Sequence, residues 1–204
     1  MSGDFTLEEA IYNCRAMRRI KSDEVPEEML IKLIDAANQA PSGSNTQAAR
    51  WVVVRDADTK KKLADLNRLH AEPYIKPNLE NPANEKQKKM LDAVVWQMDH
   101  MHEIPALIVA CFDYPEKMEG MGVYRSAGSV WPGIQNLLLT ARSLGLGAAP
   151  TTLALRDQDA VREVLNLPET FAALCLIPVG YPMGKFGPVS RKPVSEVMRF
   201  DQWD

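Results

Sequence analysis

Arg15, Arg18 and Arg19 fall within five residues, and the polar stretch Pro41-Ser42-Gly43-Ser44-Asn45-Thr46-Gln47 follows after one intervening helical segment. Guanidinium groups are permanently charged donors, and the stretch adds hydroxyl, amide and backbone donors in a conformation that Gly43 frees. That is the donor set a buried phosphate ester requires. The tail segment Ser190-Arg191-Lys192-Pro193 adds a second basic patch, from which Arg191 can join the same anion. Each segment also has a plainer reading. Cations suit a helix C-terminus through the macrodipole, the polar stretch reads as a turn, and the tail patch reads as solvated coil. Their occurrence together favours a site for a phosphorylated ligand.

The rest of the chain narrows the chemistry. A formal net charge of -3 and a pI near 5.7 give no global field to attract nucleic acid or an anionic membrane. Cys14, Cys111 and Cys175 are far apart and without Cys-x-x-Cys spacing, which argues against a disulfide framework and for a reducing, cytoplasmic location. In Asp99-His100-Met101-His102-Glu103 the two imidazoles point to different faces of a helix and no third ligand is evident, so no metal site is expected. Gly-x-Ser-x-Gly and P-loop signatures are absent, and lone Ser or Cys residues read as structural. Gly145-Leu146-Gly147-Ala148-Ala149-Pro150 departs from the dinucleotide fingerprint, because Pro stands at its third position and a helix, not a strand, precedes it. The start Met1-Ser2-Gly3-Asp4 lacks a basic region with an apolar stretch behind it, so neither secretion nor membrane insertion is expected.

Positioning these residues falls to alternating helical and strand patterns. Thr6-Leu7-Glu8-Glu9 has capping-box form and predicts a helix with Leu7, Ala10, Ile11 and Cys14 on one face, ending at the arginines. Met29, Leu30, Leu33, Ile34, Ala37 and Ala40 predict a second helix between Pro26 and Pro41. Trp51–Val54, Ala106–Phe112, Ala148–Leu153 and Phe171–Val179 read as strands, and residues 58–66, 90–101, 123–144 and 156–165 as helices. Prolines and asparagines at irregular spacing predict a flexible loop over residues 72–85, of a kind that covers sites. The stretch 181–204, rich in proline and glycine, predicts an extended tail that wraps the body or a partner subunit. The irregular alternation favours an α+β fold with a mixed, mostly antiparallel sheet flanked by helices, in one domain over residues 1–204.

Four segments in order, Cys14-Arg15-Ala16-Met17-Arg18-Arg19, the stretch from Pro41 to Gln47, Leu144-Gly145-Leu146-Gly147 with Pro150, and Gly180-Tyr181-Pro182 followed by Arg191-Lys192-Pro193, resemble the nitroreductase superfamily of flavin enzymes. The resemblance implies an intertwined homodimer with FMN at the subunit interface and NADH or NADPH as electron donor. It implies that Arg15, Arg18, Arg19 and Arg191 grip the FMN phosphate and ribityl chain. It implies that Pro41, Ser42, Gly43 and Asn45 reach the flavin from the other subunit. Pro150, Thr151, Thr152 and Leu153 would lie along the isoalloxazine, with the amide of Thr152 or Leu153 toward flavin N5. The chain departs from the pattern at Cys14-Arg15-Ala16, where many members have Arg-Arg-Ser, and at Gln47-Ala48-Ala49-Arg50-Trp51, where many have Gln-Pro-Trp. The activity implied is ping-pong hydride transfer from NAD(P)H through flavin N5 to a nitroaromatic, quinone or similar acceptor, with no side-chain nucleophile. The alternatives are a relative that performs reductive dehalogenation or substrate desaturation, and a non-catalytic flavin-binding or storage protein.

Overall fold

The computed structural model describes residues 6–114 and 127–203. Helix α1 (Leu7–Asn13) begins with the capping box, in which Glu9 N–H donates to Thr6 Oγ1 at 3.1 Å and Thr6 N–H to Glu9 Oε2 at 2.9 Å. Helix α2 (Glu27–Asn38) follows Pro26, and strand β1 (Ala49–Val54) follows the polar stretch. Helices α3 (Ala57–Glu80) and α4 (Glu85–His100) start at the side-chain caps Asp56 and Asn84, and strand β2 (Ala106–Asp113) comes next. Helix α5 (Val130–Ser143), the short strand β3 (Gly147–Ala148), helix α6 (Gln158–Leu165), strand β4 (Phe171–Gly180) and a single turn, α7 (Val194–Val197), complete the described chain. The start of the helix expected from Val123 lies outside the described residues.

The strands form one antiparallel sheet in the order β1-β2-β4-β3, as an α+β fold requires. Strand β2 is buried almost end to end, because alternate residues feed two cores. Ala106, Ile108, Ala110 and Phe112 meet Leu33, Ala37, Ile134 and Leu137 from α2 and α5. Leu107, Val109 and Cys111 meet Leu63 of α3 and Val161 of α6. In β4 the alternation slips by one: Cys175 and Ile177 face the first core, but Ala173 faces the second together with Leu176. A bulge between the pairs Ala110–Cys175 and Cys111–Ala173 leaves Leu174 as the extra residue and causes the slip.

Two glycines are fixed by geometry. Gly145, at φ +76°, ends α5 in a Schellman turn, with Leu146 N–H on the Ala141 carbonyl at 2.8 Å. Gly133, inside α5, lets α5 approach α2, since a Cβ there would stand 2.9 Å from the Ala37 carbonyl and 3.2 Å from Trp51. Pro132 sits in the first turn of α5, where its missing N–H breaks no intrahelical bond.

Two expectations are corrected. The flexible loop predicted over 72–85 is helical as far as Glu80, with Pro73 and Pro77 inside α3. Ala71 and Ile75 of that segment bury against Leu91 and Met98 of α4, and this third cluster outweighs the local cost of the prolines. The face expected on α1 buries Ala10, yet Leu7 and Ile11 are 69% and 49% exposed. The segment after β4 holds the single turn α7 and leaves Phe200 and Trp203 83% and 67% exposed. Among the described residues, no helix is long and apolar enough to cross a membrane.

Candidate functional site

The arginine segment leaves α1 in an extended conformation and runs between β3 and the tail. Met17 N–H donates to the Ala148 carbonyl at 3.0 Å, and Lys21 N–H to the Tyr181 carbonyl at 2.8 Å. Met183 N–H returns a bond to the Arg19 carbonyl at 2.9 Å, and Ile20 bridges Pro182. Met17 and Ile20 are buried, so the backbone between them is pinned and the arginines project from a fixed strap.

A cavity of about 500 Å³ opens on one side of the strap. Arg15, Arg191 and Arg142 line it, along with Cys14, Gln135 and Pro150, and among the described residues no Asp or Glu does. Arg15 Nη2 donates to the Lys185 carbonyl at 2.8 Å, and Arg191 Nη1 to the Ser190 carbonyl at 3.0 Å. Burial pushes the Cys14 thiol up, against the opposing pull of the Arg142 charge. A second cavity, of about 470 Å³, opens on the other side, where Arg18 and Arg19 face Lys89 and Asp92 of α4. Arg15 and Ala16 line both cavities. Arg18 is half-buried and makes no hydrogen bond or ion pair among the described residues, whereas Arg19 is exposed. Desolvation pulls the Arg18 guanidinium below its ordinary value.

The residues after β3 are held by the sheet. Thr151 exchanges two backbone hydrogen bonds with Leu176, at 2.8 and 2.9 Å. Leu153 N–H donates to Thr151 Oγ1 at 3.4 Å, and the exposed Thr152 N–H has no partner among the described residues. Pro150 lines the arginine cavity, and Thr152 lines a separate one with Tyr114 and Arg156.

Pro41, Ser42 and Asn45 do not meet the arginines within this chain. They line a cavity of about 480 Å³ with Arg50 and Ser129, and Gly43 N–H donates to Ser129 Oγ at 3.1 Å. Ser44, Asn45 and Gln47 hold positive φ of 50°, 53° and 50°, left-handed conformations that cost about 1–2 kcal/mol each. Gln47 N–H on Ser42 Oγ at 2.8 Å helps to hold that shape.

Sequence reasoning passed over Arg142, which reads as an ordinary cation in the last turn of a helix. Its guanidinium carbon lies 4.1 Å over the Phe186 ring, a contact between segments that share no local pattern. Among the described residues, no group of His, Cys, Asp and Glu is placed to hold a metal ion. Cys111 and Cys175 are buried, and burial pushes both thiols up to about 12. Neither serves as a nucleophile at neutral pH.

Comparison with known proteins adds to this geometry. The sequence matches the nitroreductase family over residues 11–181. It is 32% identical over 170 residues to an iodotyrosine deiodinase of Thermotoga neapolitana, covering 82% of this chain and 84% of that protein. It is 29% identical over 206 residues to an NADH dehydrogenase of Thermus thermophilus, covering 90% of each. The fold is similar to that of an oxidised iodotyrosine deiodinase bound to FMN and 3-iodo-L-tyrosine, with a TM-score of 0.76, 26% identity, and coverage of 97% of this chain and 100% of that one. The matched span runs from within α1, through every strand, to the residue after β4, and so takes in the strap and the turn after β3: the chain belongs to the nitroreductase family.

Proposed function

We propose that the chain is an FMN-dependent oxidoreductase that draws reducing equivalents from NADH or NADPH and delivers them to a small aromatic acceptor. One observation carries the reading: Arg15 and Arg191, from opposite ends of the chain, line a cationic cavity that has no carboxylate among the described residues and suits a dianionic phosphate ester. FMN, when bound, supplies hydride chemistry at N5, alternating between donor and acceptor.

The chain's own part is binding and electrostatics. Arg15 and Arg191 hold the phosphate. Arg18, half-buried and without a partner among the described residues, suits the N1 and O2 edge, where a fixed cation stabilises negative charge. Between the two candidates for N5, the Thr152 amide is available and that of Leu153 is engaged by Thr151. Pro41, Ser42 and Asn45 face another cavity, with Gly43 held beside it by Ser129, so these four serve the site of a second copy, in a homodimer for which the uncovered Phe200 and Trp203 supply contact surface. The unpaired thiols suit a reducing cytoplasm.

The acceptor is a nitroaromatic or quinone on this reading. A second reading, reductive dehalogenation of an aromatic, is favoured by the likeness to iodotyrosine deiodinases in sequence and fold. Anaerobic stopped-flow tests both. Flavin released from the purified protein is identified as FMN, the bound flavin is bleached by NADH or NADPH, and reoxidation is followed with a nitroaromatic, a quinone and a halogenated tyrosine. A colourless protein that FMN does not stabilise would overturn the proposal, and flavin that neither nicotinamide bleaches would indicate a binding protein.

A further inference from the structure

We infer that Arg50 is a positioning residue for the flavin site: it holds the loop from Ser42 to Gln47 in the shape in which Asn45 donates to the flavin of a second copy. The inference rests on the FMN reading above, in which that loop serves the partner's site.

The loop is strained at Ser44, Asn45 and Gln47, all at positive φ. Such backbone persists only where its surroundings over-determine it, so the loop needs a clamp. Gln47 is held at both backbone groups and at its side chain. Its N–H donates to Ser42 Oγ at 2.8 Å, its carbonyl accepts from Arg50 Nη1 at 2.8 Å, and its Nε2 donates to Asn45 Oδ1 at 3.2 Å. The last bond commits Asn45 Oδ1 and leaves Nδ2 as the donor that the carboxamide presents. Asn45 and Arg50 line the same cavity.

Arg50 is in turn fixed from the sheet. Nη1 also donates to the Ala49 carbonyl at 3.0 Å, and Nη2 pairs with Asp113 Oδ2 at 2.9 Å. Asp113, the last residue of β2, gives its N–H to the Ala48 carbonyl at 2.8 Å, and its Oδ1 accepts from Thr170 Oγ1 at 3.2 Å. Contiguous bonds thus lead from the sheet through Arg50 and Gln47 to Asn45. A planar fork with donors on two nitrogens reaches two carbonyls and a carboxylate at once. The Arg50 side chain is 44% exposed, and an ion pair at such a place adds little to stability. Its effect falls on the shape of the loop.

A double-mutant cycle separates this role from a merely structural one. Full-length protein stripped of flavin is titrated with FMN by fluorescence quenching, in wild type, Arg50→Ala, Asn45→Ala and the double variant. Arg50→Ala is expected to raise the FMN Kd about fivefold or more in the wild-type background, and by less than about twofold where Asn45 is already alanine, as residues acting through one network do. Arg50→Lys keeps the charge, but its single nitrogen does not span the three acceptors, so it shows the same pattern with a smaller factor. It also carries the cycle on folded protein if Arg50→Ala does not fold. The same factor in both backgrounds, or an unchanged Kd in the Arg50 variants against tight wild-type binding, would overturn the role of Arg50 alone. Wild type that binds no FMN would overturn the FMN reading and this inference together.

Discussion

The Gln158 carboxamide pairs with both backbone groups of Ala173: Ala173 N–H donates to Oε1 at 3.0 Å, and Nε2 donates to the Ala173 carbonyl at 2.9 Å. It pairs with the buried Ala173 beside the bulge at Leu174, from a side chain that is itself half-buried. Gln158→Ala is expected to cost about 2–4 kcal/mol, since it leaves buried backbone groups unpaired. Gln158→Glu does not rescue, because a carboxylate cannot donate to the carbonyl. Urea denaturation decides, and a loss below about 0.5 kcal/mol would contradict this account.

The contact of Gly133 with Ala37 predicts the reverse of a usual helix substitution. Alanine normally stabilises a helix interior, yet Gly133→Ala places a Cβ 2.9 Å from a backbone carbonyl that cannot swing away. A loss of about 1–3 kcal/mol is expected from overpacking, read as a lower thermal midpoint, while Gly187→Ala, which meets nothing within 4 Å, changes little.

Alkaline pH should destabilise the fold through its buried thiols. In the unfolded chain they ionise near pH 9.0, and in the fold Cys111 and Cys175 do so only at about 12. The folded state therefore holds protons that the unfolded state releases. Their contribution is fully present below pH 9 and falls by up to about 1.4 kcal/mol per pH unit per thiol as pH rises toward 12. The difference in urea midpoint between wild type and a Cys111→Ala/Cys175→Ala double variant should narrow from pH 8 to pH 10, and a constant difference would count against it.

Arg18 and Arg19 are neighbours with different expected effects. Arg18→Gln removes a half-buried cation from the proposed flavin edge and should lower the midpoint potential of the bound flavin by about 30 mV or more, equivalent to about 1.4 kcal/mol for a two-electron couple. Arg19→Gln removes an exposed one and should leave the potential near wild type. Spectroelectrochemistry of the two variants decides, and equal shifts would remove Arg18 from its assigned place.

Arg15→Ala should weaken FMN retention more than Arg156→Ala, because only Arg15 lines the cavity shared with Arg191. Equal FMN dissociation constants, measured by fluorescence quenching, would count against the phosphate grip.

What the sequence made legible follows the range of the forces involved. Strands β2 and β4 could be read to within about a residue, since a continuous apolar run dominates its own conformation. Residues 72–80 were misleading, because Pro73 and Pro77 speak locally for a loop while the burial of Ala71 and Ile75 against Leu91 is decided across the fold. The bulge at Leu174 has no local signature, as it exists only in the register of β4 against β2. In the site, the types of Arg15 and Arg191 pointed to an anion, but the stacking of Arg142 on Phe186 joins segments too distant for any pattern to link.

The bond from Arg15 to the Lys185 carbonyl spans 170 residues of sequence, and the Met17, Arg19 and Lys21 contacts join the same early strap to β3 and the segment after β4. A chain emerging N-terminus first from the ribosome therefore makes its arginines early and cannot seat them until residues 181–185 are out. On the proposed reading, a chain that stops before Lys185 and Arg191 lacks the phosphate grip and retains FMN poorly.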